Sequence, residues 1–568
     1  MLSRHRALGI GFAALALGLL GDVLLRPGPS GLGAAIWIAA CAAAAVAFRP
    51  GRTANTALAA SAAFGLLIVW RDSPTLQGLL AAAAIAAWGV AFLDRPQRAG
   101  VTSLAMAACA SAGSALLGSP LVLASARRRE RPARSRFSLR IALGGGAIAV
   151  PLLLVFGSLF AAADPLFARY ASDLAHSLDE IVEHLGTVAF VAWLTSGLLA
   201  GLLLARCPAG VGMPPPRPAL GAAIGVAVAL VVALFATFLA VQARALLGGA
   251  EWVESRVDLS YSEYARGGFF QLLACAGIAL PLGLVADWTV SREDPRRRRM
   301  ALLSAALAAL VLAVVASAAR RMALYVEAYG LTELRLYASA VMLWVAIVSI
   351  ALGAAAIRGT RERLCFHAMV SAAAVVGGLA IVNPGARIAA YNASRELRAG
   401  APFDASYAVS LGADAVPSLL HALPSLSPPA ACGVARGLLE YRGGLSGRDW
   451  RTHNVSRARA ATLLDASAGA LRNAASRCGQ TSRGEAYSTT ATAVARLRLE
   501  TPGRIGMAVR RCARERISAG SPSRSVPNTS SAPGGGGCAS KGTPWGSTAT
   551  IGLAVAGTRS ALATGSAY

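Results

Sequence analysis

Long apolar runs separated by short polar links occupy the first two thirds of the chain. A membrane-spanning helix needs about 20 mostly apolar residues at a rise of about 1.5 Å per residue. Runs of that length recur as far as residue 383, and they predict about twelve spans, with a range of about ten to thirteen. The pattern therefore predicts an all-α, polytopic transmembrane helical bundle. The candidate spans are 7–25, 31–48, 54–70, 76–93, 101–124, 141–163, 186–205, 219–242, 269–290, 301–320, 335–357 and 366–383.

The pattern changes twice after the last apolar run. Residues 384–465 contain shorter helical stretches interrupted by prolines, which predict a small helical extramembrane segment on the outer face. Residues 466–568 are rich in Ser, Ala, Thr, Arg and Gly and show no periodicity, and such a composition does not bury a core. This tail is interpreted either as disordered or as an out-of-frame extension of a GC-rich gene. The predicted organisation is 1–125 for Ala/Gly-rich N-terminal transmembrane helices, 126–140 for a basic cytoplasmic loop, 141–383 for a transmembrane core, 384–465 for the helical segment and 466–568 for the tail.

The composition supports a membrane protein and excludes a mostly soluble one. Of the 568 residues, 55% are hydrophobic and 14% are charged, against about 25% charged in ordinary soluble domains. Lys and Arg total 54 against 28 Asp and Glu, which gives a formal net charge of +26, and Lys541 is the only lysine. Residues 384–568 contain 22 basic and 9 acidic residues, so +13, half of the excess, lies there. The charge therefore reflects coding bias and membrane topology, and no nucleic-acid partner is predicted.

Arginine in short loops predicts which loops face the cytoplasm. The loop 126–140 contains seven arginines, and the acid-rich loops 164–185 and 243–268 are expected outside. Twelve spans would place the N-terminus outside, whereas the arginines at 4, 6, 49 and 52 favour the inside, so we expect one span to be miscounted before residue 126. The further links predicted on the cytoplasmic side are 206–218, 291–300 and 358–364.

The lipid bilayer is the one partner that the sequence predicts. Arg127–Arg129 form a juxtamembrane basic cluster, which is typical of contact with anionic lipid headgroups. No protein partner is indicated.

The segment 317–337 predicts a tight helical hairpin at the outer surface. Tyr325 and Tyr329 lie one turn apart on one helix face. Gly330 suits the left-handed residue that ends a helix, and Thr332 can cap the next one, with Glu333 in its first turn.

Six polar residues near this hairpin form the candidate ligand site. Charges at a membrane boundary are often functional, so an anion or zwitterion pocket is one interpretation. The favoured alternative is that these side chains pair with one another and lock the hairpin. The candidate residues are Glu263, Arg266, Arg321, Tyr325, Glu327 and Arg335.

The segment 164–185 has the apolar and polar faces of an amphipathic helix, expected to lie on the outer membrane surface. His176, Glu180 and His184 follow at intervals of four residues, which permits two neighbouring metal ligands. A solvated polar face is the favoured interpretation, and no cofactor is predicted. The nine cysteines contain no C-x-x-C pair and are interpreted as small buried hydrophobic residues.

Several stretches with polar and aromatic residues carry a family resemblance. They are RDSP at 71–74, FGSLF at 156–160 with ADPLF at 163–167, YSEYAR at 261–266, SAARRMALYVEAYGLTELRLY at 317–337, NPGARI at 383–388, DAVP at 414–417 and DWR at 449–451. The chain resembles an uncharacterised bacterial membrane-protein family of the domain of unknown function 4173/4153 type. The resemblance implies a multi-pass protein of the bacterial cytoplasmic (inner) membrane, but it brings no established activity and no catalytic residues.

The favoured function is a non-enzymatic envelope sensor or scaffold, because the charges lie at the ends of spans rather than in their middle. A small-solute transporter is the first alternative, although the two halves of the membrane region differ in character. The second alternative is a membrane-embedded transferase acting on a lipid-linked envelope substrate, with Glu263 or Glu327 as the general base.

Overall fold

The computed structural model describes residues 3–126, 163–208, 218–247, 269–288 and 295–478, with short gaps at 27, 29–30, 49 and 446–448, and the single positions 152, 156 and 160. Within these residues it consists of seventeen α-helices, three short 3-10 helices and no strand. The predicted all-α class is confirmed.

Eleven of the helices in the described residues form the apolar bundle. Nine of those in the described part of the chain are long and apolar enough to cross a membrane, and two more, α2 and α8, are shorter and apolar. The polytopic bundle is therefore confirmed, while the number of spans stays a prediction because the candidate at 141–163 lies almost wholly outside the described residues. The helices are α1 (Arg4–Leu25), α2 (Leu32–Ala47), α3 (Arg52–Trp70), α4 (Pro74–Ala91), α5 (Val101–Ala126), α6 (Pro165–Leu204), α7 (Pro218–Leu247), α8 (Phe269–Trp288), α9 (Arg297–Tyr329), α10 (Glu333–Arg358) and α11 (Leu364–Val382).

Small residues bring the N-terminal helices close together. A Cβ on Gly18 of α1 would lie 2.6 Å from the carbonyl oxygen of Val188, and one on Gly197 of α6 would lie 2.1 Å from that of Ser114. Only glycine permits such backbone contact, because any larger side chain would overlap the neighbouring helix. The Ala/Gly-rich composition therefore yields a compact bundle.

Neighbouring helices run antiparallel, so alternate links meet at the same end of the bundle. One end, called here the arginine end, contains the N-terminus and residues 92–100, 205–208 and 359–363. There Arg206 Nη1 lies 3.4 Å from Asp94 Oδ1. The opposite end, called the cap end, contains residues 71–73 and 330–332 and everything described after residue 382.

Helix α6 is 40 residues long and includes the predicted surface segment 164–185. Asp164 caps its first turn by accepting a hydrogen bond from the Leu166 N–H (2.8 Å). No proline follows Pro165 and no glycine precedes Gly186 in this stretch, so nothing breaks the helix before it enters the bundle. The segment is thus the N-terminal half of a continuous helix, and Ile181 and Val182 of its apolar face are exposed.

Six short helices form a compact unit, called the cap, over one end of the bundle. Its core contains fully buried Ile388, Leu419, Leu438 and Leu464, against which Leu336 of α10 also packs. Packed structure continues beyond residue 465, because Leu471 of the last helix is fully buried as well. The helices are α12 (Pro384–Ala399), α13 (Ala405–Ser410), α14 (Val416–Ala422), α15 (Pro428–Gly443), α16 (Val455–Ala466) and α17 (Ala468–Ser476).

Candidate functional site

The densest polar cluster in the described structure surrounds the link between α3 and α4. Asp414, which precedes α14 of the cap, is 1% exposed. Its Oδ2 accepts hydrogen bonds from the backbone N–H groups of Asp72 (2.8 Å) and Ser73 (3.1 Å). These groups lie just before the N-terminus of α4, where the helix dipole favours a negative charge. A cap carboxylate therefore holds the start of a membrane helix.

Asp72 binds the cap in the opposite direction. Its Oδ1 lies 3.0 Å from Arg457 Nε of α16. Its Oδ2 accepts a hydrogen bond from the hydroxyl of Tyr441 on α15 (3.3 Å). Burial raises the pKa of the Asp72 carboxyl, which the nearby Arg457 charge partly opposes. Asp414 of the cap therefore binds the α3–α4 link, and Asp72 of that link binds the cap.

Asn454 and Ser456 fix the last cap helices to the C-terminal end of α3. The Asn454 amide donates to the carbonyl oxygens of Ile68 (3.1 Å) and Arg71 (2.8 Å), while its Oδ1 caps α16 by accepting from the Arg457 N–H (3.2 Å). Ser456 Oγ lies within hydrogen-bond distance of the Trp70 carbonyl oxygen (2.9 Å). These bonds satisfy the terminal carbonyls of a helix that would otherwise be left without partners.

Arg71 links the two halves of the bundle. Its Nε donates to the carbonyl oxygen of Ala380 near the end of α11 (2.6 Å), and its Nη1 lies 3.8 Å from Asp414 Oδ1. The guanidinium carbon stands 4.3 Å from the ring centroid of Trp70, a cation–π distance. One side chain therefore contacts α3, α11 and the cap.

Ser73 extends the cluster to α10. Its Oγ donates to Glu333 Oε1 (3.2 Å) and lies 3.2 Å from the Tyr337 hydroxyl. The Glu333 N–H in turn donates to the hydroxyl of Tyr407 in the cap (2.8 Å). We call the whole set the polar clamp; it comprises Arg71, Asp72, Ser73, Glu333, Tyr337, Tyr407, Asp414, Tyr441, Asn454, Ser456 and Arg457.

The joint between α11 and α12 brings Asp414 to this position. Asn383 has φ of 56°, and among the described residues it alone is a non-glycine with positive φ. Asparagine tolerates this left-handed conformation, and Asn383 Oδ1 caps α12 by accepting from the Ala386 N–H (3.2 Å). Gly385 packs so closely against Asp414 that a Cβ added to Gly385 would lie 3.1 Å from the Asp414 Cβ. The motif at 383–388 therefore forms a closely packed joint between the bundle and the cap.

The polar clamp is a closed set of contacts. The Asp414 side chain is wholly buried, and those of Arg71, Asp72 and Arg457 are 11%, 17% and 13% exposed. Ion pairs and hydrogen bonds among these side chains, and of Arg71 and Asp414 with backbone groups, join three separate parts of the chain. The arrangement is suited to fixing the cap on the bundle.

The structure describes some members of the predicted ligand cluster at the hairpin. The guanidinium carbon of Arg335 stands 4.1 Å from the Tyr325 ring centroid, and its Nη1 donates to the Tyr329 carbonyl oxygen (3.1 Å) and to that of Gly330. Arg395 of the cap donates to the Glu327 carbonyl oxygen (2.9 Å). Two arginines therefore cap the C-terminal end of α9, where the helix dipole favours positive charge.

The other members of that cluster are described only in part. The Glu327 side chain is exposed, and Arg321 is 7% exposed, one turn before Tyr325 in α9. Glu263 and Arg266 lie outside the described residues. Ser317, one turn before Arg321, donates to Gln242 of α7 (2.6 Å).

The hairpin itself forms as predicted. Helix α9 ends at Tyr329, and Gly330 follows with φ of 82°. Thr332 caps α10 by accepting from the Arg335 N–H (3.4 Å), and Glu333 occupies the first turn.

His184 pairs with a carboxylate of another helix rather than with its neighbours in sequence. Its Nδ1 lies 2.5 Å from Asp22 Oδ2 of α1, and Arg26 Nε lies 3.3 Å from Asp22 Oδ1. Glu180 is exposed, and the side chain of His176 lies outside the described set. In the part of the chain that is described, no three His, Cys, Asp or Glu side chains are placed to share a metal ion.

The interpretation of the cysteines as unpaired hydrophobic residues is wrong for two of them. Cys432 of α15 and Cys478 form a disulfide with a Cα–Cα distance of 5.5 Å. Their 46-residue separation gave no local signal, because α17 has to fold back onto α15 before the two thiols meet.

An apolar cavity of about 750 Å³ lies among α1, α2, α4, α5 and α6. Its polar side chains already have partners: Trp37 Nε1 donates to the Leu17 carbonyl oxygen (3.1 Å), and Thr195 Oγ1 to that of Val191 (2.8 Å). No charged side chain of the described chain lines it. The cavity therefore offers no group that would orient a charged solute.

The sequence offers parts of the polar clamp in three stretches of the family resemblance, at 71–74, 317–337 and 414–417. The sequence also favours Asn454 and Arg457 as anchors of the last helix, but it gave no sign of Ser456 or of the α3 terminus that these residues contact. A usable signal was the concentration of Arg, Asp and Ser in a three-residue link between two apolar helices.

A family model described as "Domain of unknown function (DUF4153)" matches residues 58–422. No curated protein and no solved structure matches the chain. The match covers both α3–α4 and α10–α14, so it includes Arg71 and Asp414 and ends before Asn454. This chain belongs to the DUF4153 family and is a multi-pass membrane protein.

Proposed function

We propose that this DUF4153 protein is a non-enzymatic scaffold or sensor of the bacterial cytoplasmic membrane, whose bundle holds the cap as a rigid platform on the outer face. The observation that carries the proposal is the buried Asp414 carboxylate, which fixes the cap to the start of α4. A platform needs such a fixed attachment, whereas a transporter needs helices that move relative to one another.

The orientation rests on the two ends of the bundle. Among the described arginines of the bundle itself, thirteen lie at the arginine end and seven nearer the cap end, and arginine beside a span favours the cytoplasm. The disulfide lies at the opposite end, and disulfides persist in oxidising compartments outside the cytoplasm. The described arginines of the arginine end are Arg4, Arg6, Arg52, Arg95, Arg98, Arg206, Arg296, Arg297, Arg298, Arg299, Arg358, Arg361 and Arg363.

A topology experiment tests this orientation. Single cysteines introduced at Ser3 and at Glu440, in a chain whose own cysteines are replaced by serine, are labelled with a membrane-impermeant maleimide in intact cells. We expect labelling at Glu440 and none at Ser3. Helix α5 ends at Ala126, near the cap end, so this orientation proposes the start of the loop 126–140 outside, opposite to the cytoplasmic side predicted from its arginines. Labelling at Ser3 alone contradicts the orientation.

The contact of Arg127–Arg129 with anionic headgroups belongs to the same proposal, although these residues lie outside the described set. Binding of the full chain to nanodiscs with and without anionic lipid tests it. We expect an Arg127→Gln/Arg128→Gln/Arg129→Gln variant to lose the preference for anionic lipid, and a retained preference contradicts the contact.

The scaffold function is tested by growth of a deletion strain under detergent stress. We expect loss of the gene to sensitise the cells, and we expect wild-type, Arg321→Ala and Glu327→Gln chains to restore growth. Asn454→Ala and Arg457→Ala chains should fail at equal membrane abundance, because they loosen the cap. A deletion strain that resists detergent like its parent contradicts the proposal.

A small-solute transporter is the second candidate, and buried Arg321 is the observation in its favour. Ionisable residues within spans are rare and often mark a solute pathway. In the same growth test, failure of Arg321→Ala together with rescue by Asn454→Ala would contradict the scaffold and support transport.

A further inference from the structure

We propose that the Cys432–Cys478 disulfide is an oxidation-dependent latch on the polar clamp, formed by exchange with a disulfide-bearing thiol oxidoreductase on the outer side of the membrane. The inference rests on the proposed function in one respect, since it takes the cap to face outward. Beyond that function, the disulfide is a covalent modification of the cap, a thiol oxidoreductase is the partner that forms it, and the cap is attached more firmly once it has formed.

The loop that the disulfide closes contains four of the eleven residues of the polar clamp. Residues 433–477 include Tyr441, Asn454, Ser456 and Arg457 of the polar clamp. They also include the 3-10 turn Trp450–Thr452, where Arg451 Nη1 donates to the Val23 carbonyl oxygen of α1 (2.6 Å).

This loop meets the bundle at a second place. The Leu32 N–H at the start of α2 donates to the His453 carbonyl oxygen (2.9 Å). Gly31 passes so close that a Cβ there would lie 2.8 Å from the Thr452 carbonyl carbon. The loop therefore lies across the α1–α2 turn and the α3–α4 link, and anything that fixes its two ends limits how far it can lift away.

Without the disulfide, non-covalent packing alone would close the loop. Helix α17 contributes one fully buried large side chain, Leu471, to the cap core. The chain leaves this helix at Ser476, two residues before Cys478. A cross-link removes the open conformations of the loop from the unfolded ensemble, and this effect grows with loop length. The disulfide consequently acts on the clamp residues that lie inside the loop.

The distribution of cysteines separates this pair from the rest. Of the cysteines that the structure describes, Cys432 and Cys478 belong to the cap and are joined. The others remain thiols, and each lies in a bundle helix or at the arginine end. They are Cys41, Cys109, Cys207, Cys275 and Cys365. The described thiols and the disulfide therefore occupy different sides of the molecule.

The chemistry needs an electron acceptor, and a protein disulfide supplies it. The thiolate of one cap cysteine attacks the disulfide of the oxidoreductase, giving a mixed disulfide and releasing one thiolate of the partner. The second cap thiolate then attacks the sulfur of the first, which forms the Cys432–Cys478 bond and releases the partner's second thiolate. Two electrons pass to the oxidoreductase, and the two cysteine protons go to solvent.

The latch is tested on the full-length protein in detergent by digestion with trypsin, with and without dithiothreitol. We expect reduction to increase the rate of cleavage within residues 449–477 by about tenfold or more, because the clamp opens more often when the loop is not closed. A Cys432→Ser/Cys478→Ser chain should be cleaved at the fast rate in either condition. A Cys109→Ser chain, which alters an exposed thiol of α5, should behave as wild type.

Two further measurements separate the latch from the orientation. Blocking of free thiols in cells before lysis, followed by reduction and a mass-tagged maleimide, should tag two cysteines in normal cells and none in cells that lack the envelope thiol oxidase. Unchanged tagging contradicts formation by exchange. Equal trypsin rates before and after reduction overturn the latch, whereas labelling from the cytoplasmic side alone overturns the orientation.

Discussion

At the cap end of the bundle, three arginine side chains are partly buried and bonded to other elements, whereas most arginines of the arginine end are exposed. Arg71, Arg335 and Arg457 each contact a carboxylate, a carbonyl oxygen or an aromatic ring of another element. Arg206, paired with Asp94, is an exception among exposed arginines at the other end. The same residue type therefore holds helices together on one side and favours a cytoplasmic position on the other.

The difference follows from what each end has to do. The links of the arginine end join consecutive helices, and the contacts described between them, such as the bridge between Leu93 and Cys207, hold no separate helical unit. The cap end has to attach a separate helical unit to termini that lie far apart in the sequence, such as Arg71 and Ala380. Buried charges make such an attachment firm, because each charge depends on its partner. Removing one partner lowers the stability of a protein far more in a buried pair than in a surface pair.

The largest effect is expected from Asp414→Ala. The change leaves Arg71 and the N–H groups of Asp72 and Ser73 without their shared acceptor, and it should lower the free energy of unfolding by about 3–5 kcal/mol. Thermal unfolding of the purified chain measures it. The control is Asp94→Ala at the arginine end, with an expected change below about 1 kcal/mol. Equal shifts for the two variants would show that the two ends do not differ.

A smaller effect is expected from Asn454→Ala. The side chain gives two hydrogen bonds to carbonyl oxygens of the α3 terminus and caps α16, so its loss should destabilise the chain by about 1–3 kcal/mol. The matched control is Thr462→Ala in α16, whose hydroxyl bonds only to its own helix (3.2 Å). Chemical denaturation of both variants tests this, and a control as unstable as Asn454→Ala would refute it.

Arg335→Lys should have a still smaller effect, about 1–2 kcal/mol, because lysine keeps the charge but cannot both stack on Tyr325 and bond two carbonyl oxygens. Arg358→Lys, in the last turn of the same helix at the arginine end, should change stability little. Melting temperatures in one detergent compare the two. A larger drop in melting temperature for Arg358→Lys than for Arg335→Lys would contradict the difference between the two ends.

The smallest effect is a pH dependence centred on Asp72. Because burial raises its pKa in the folded state, the folded chain holds this proton more tightly than the unfolded chain does. That contribution is fully present below the unfolded-state pKa and is lost as the pH rises through the higher folded-state pKa. Between about pH 7 and about pH 4 the wild type should therefore gain stability relative to Asp72→Asn as the pH falls. A wild type that loses stability relative to the variant over this range contradicts the burial argument.

Local features of the fold were predictable where neighbouring residues decide them. Gly330 and Thr332 end one helix and cap the next through bonds within a few residues, so the hairpin could be predicted from its sequence. The bundle followed from apolar length alone. The clamp was not predictable in this way, because the contact between Asp72 and Asp414 joins residues 342 positions apart.

The candidate ligand cluster shows the same limit. Tyr325 and Arg335 are close in sequence and meet as expected, yet Arg335 is bonded to helix carbonyls. Sequence spacing places charges near one another, but it does not say whether a backbone terminus nearby will take their hydrogen bonds. The partner from the cap, Arg395, became visible only in the folded chain.

The sequence by itself determined the class of this protein: a multi-pass helical bundle of the DUF4153 family, with a helical segment after the last apolar run. Apolar length and helix-capping residues are local properties. They decide the fold class because backbone groups inside a bilayer have to form their hydrogen bonds within helices. The tertiary structure alone decided that Asp414 holds the start of α4, that Asn454 holds the end of α3, and that Cys432 meets Cys478. Those contacts depend on how the cap folds back onto distant helix ends, which no short stretch of residues encodes.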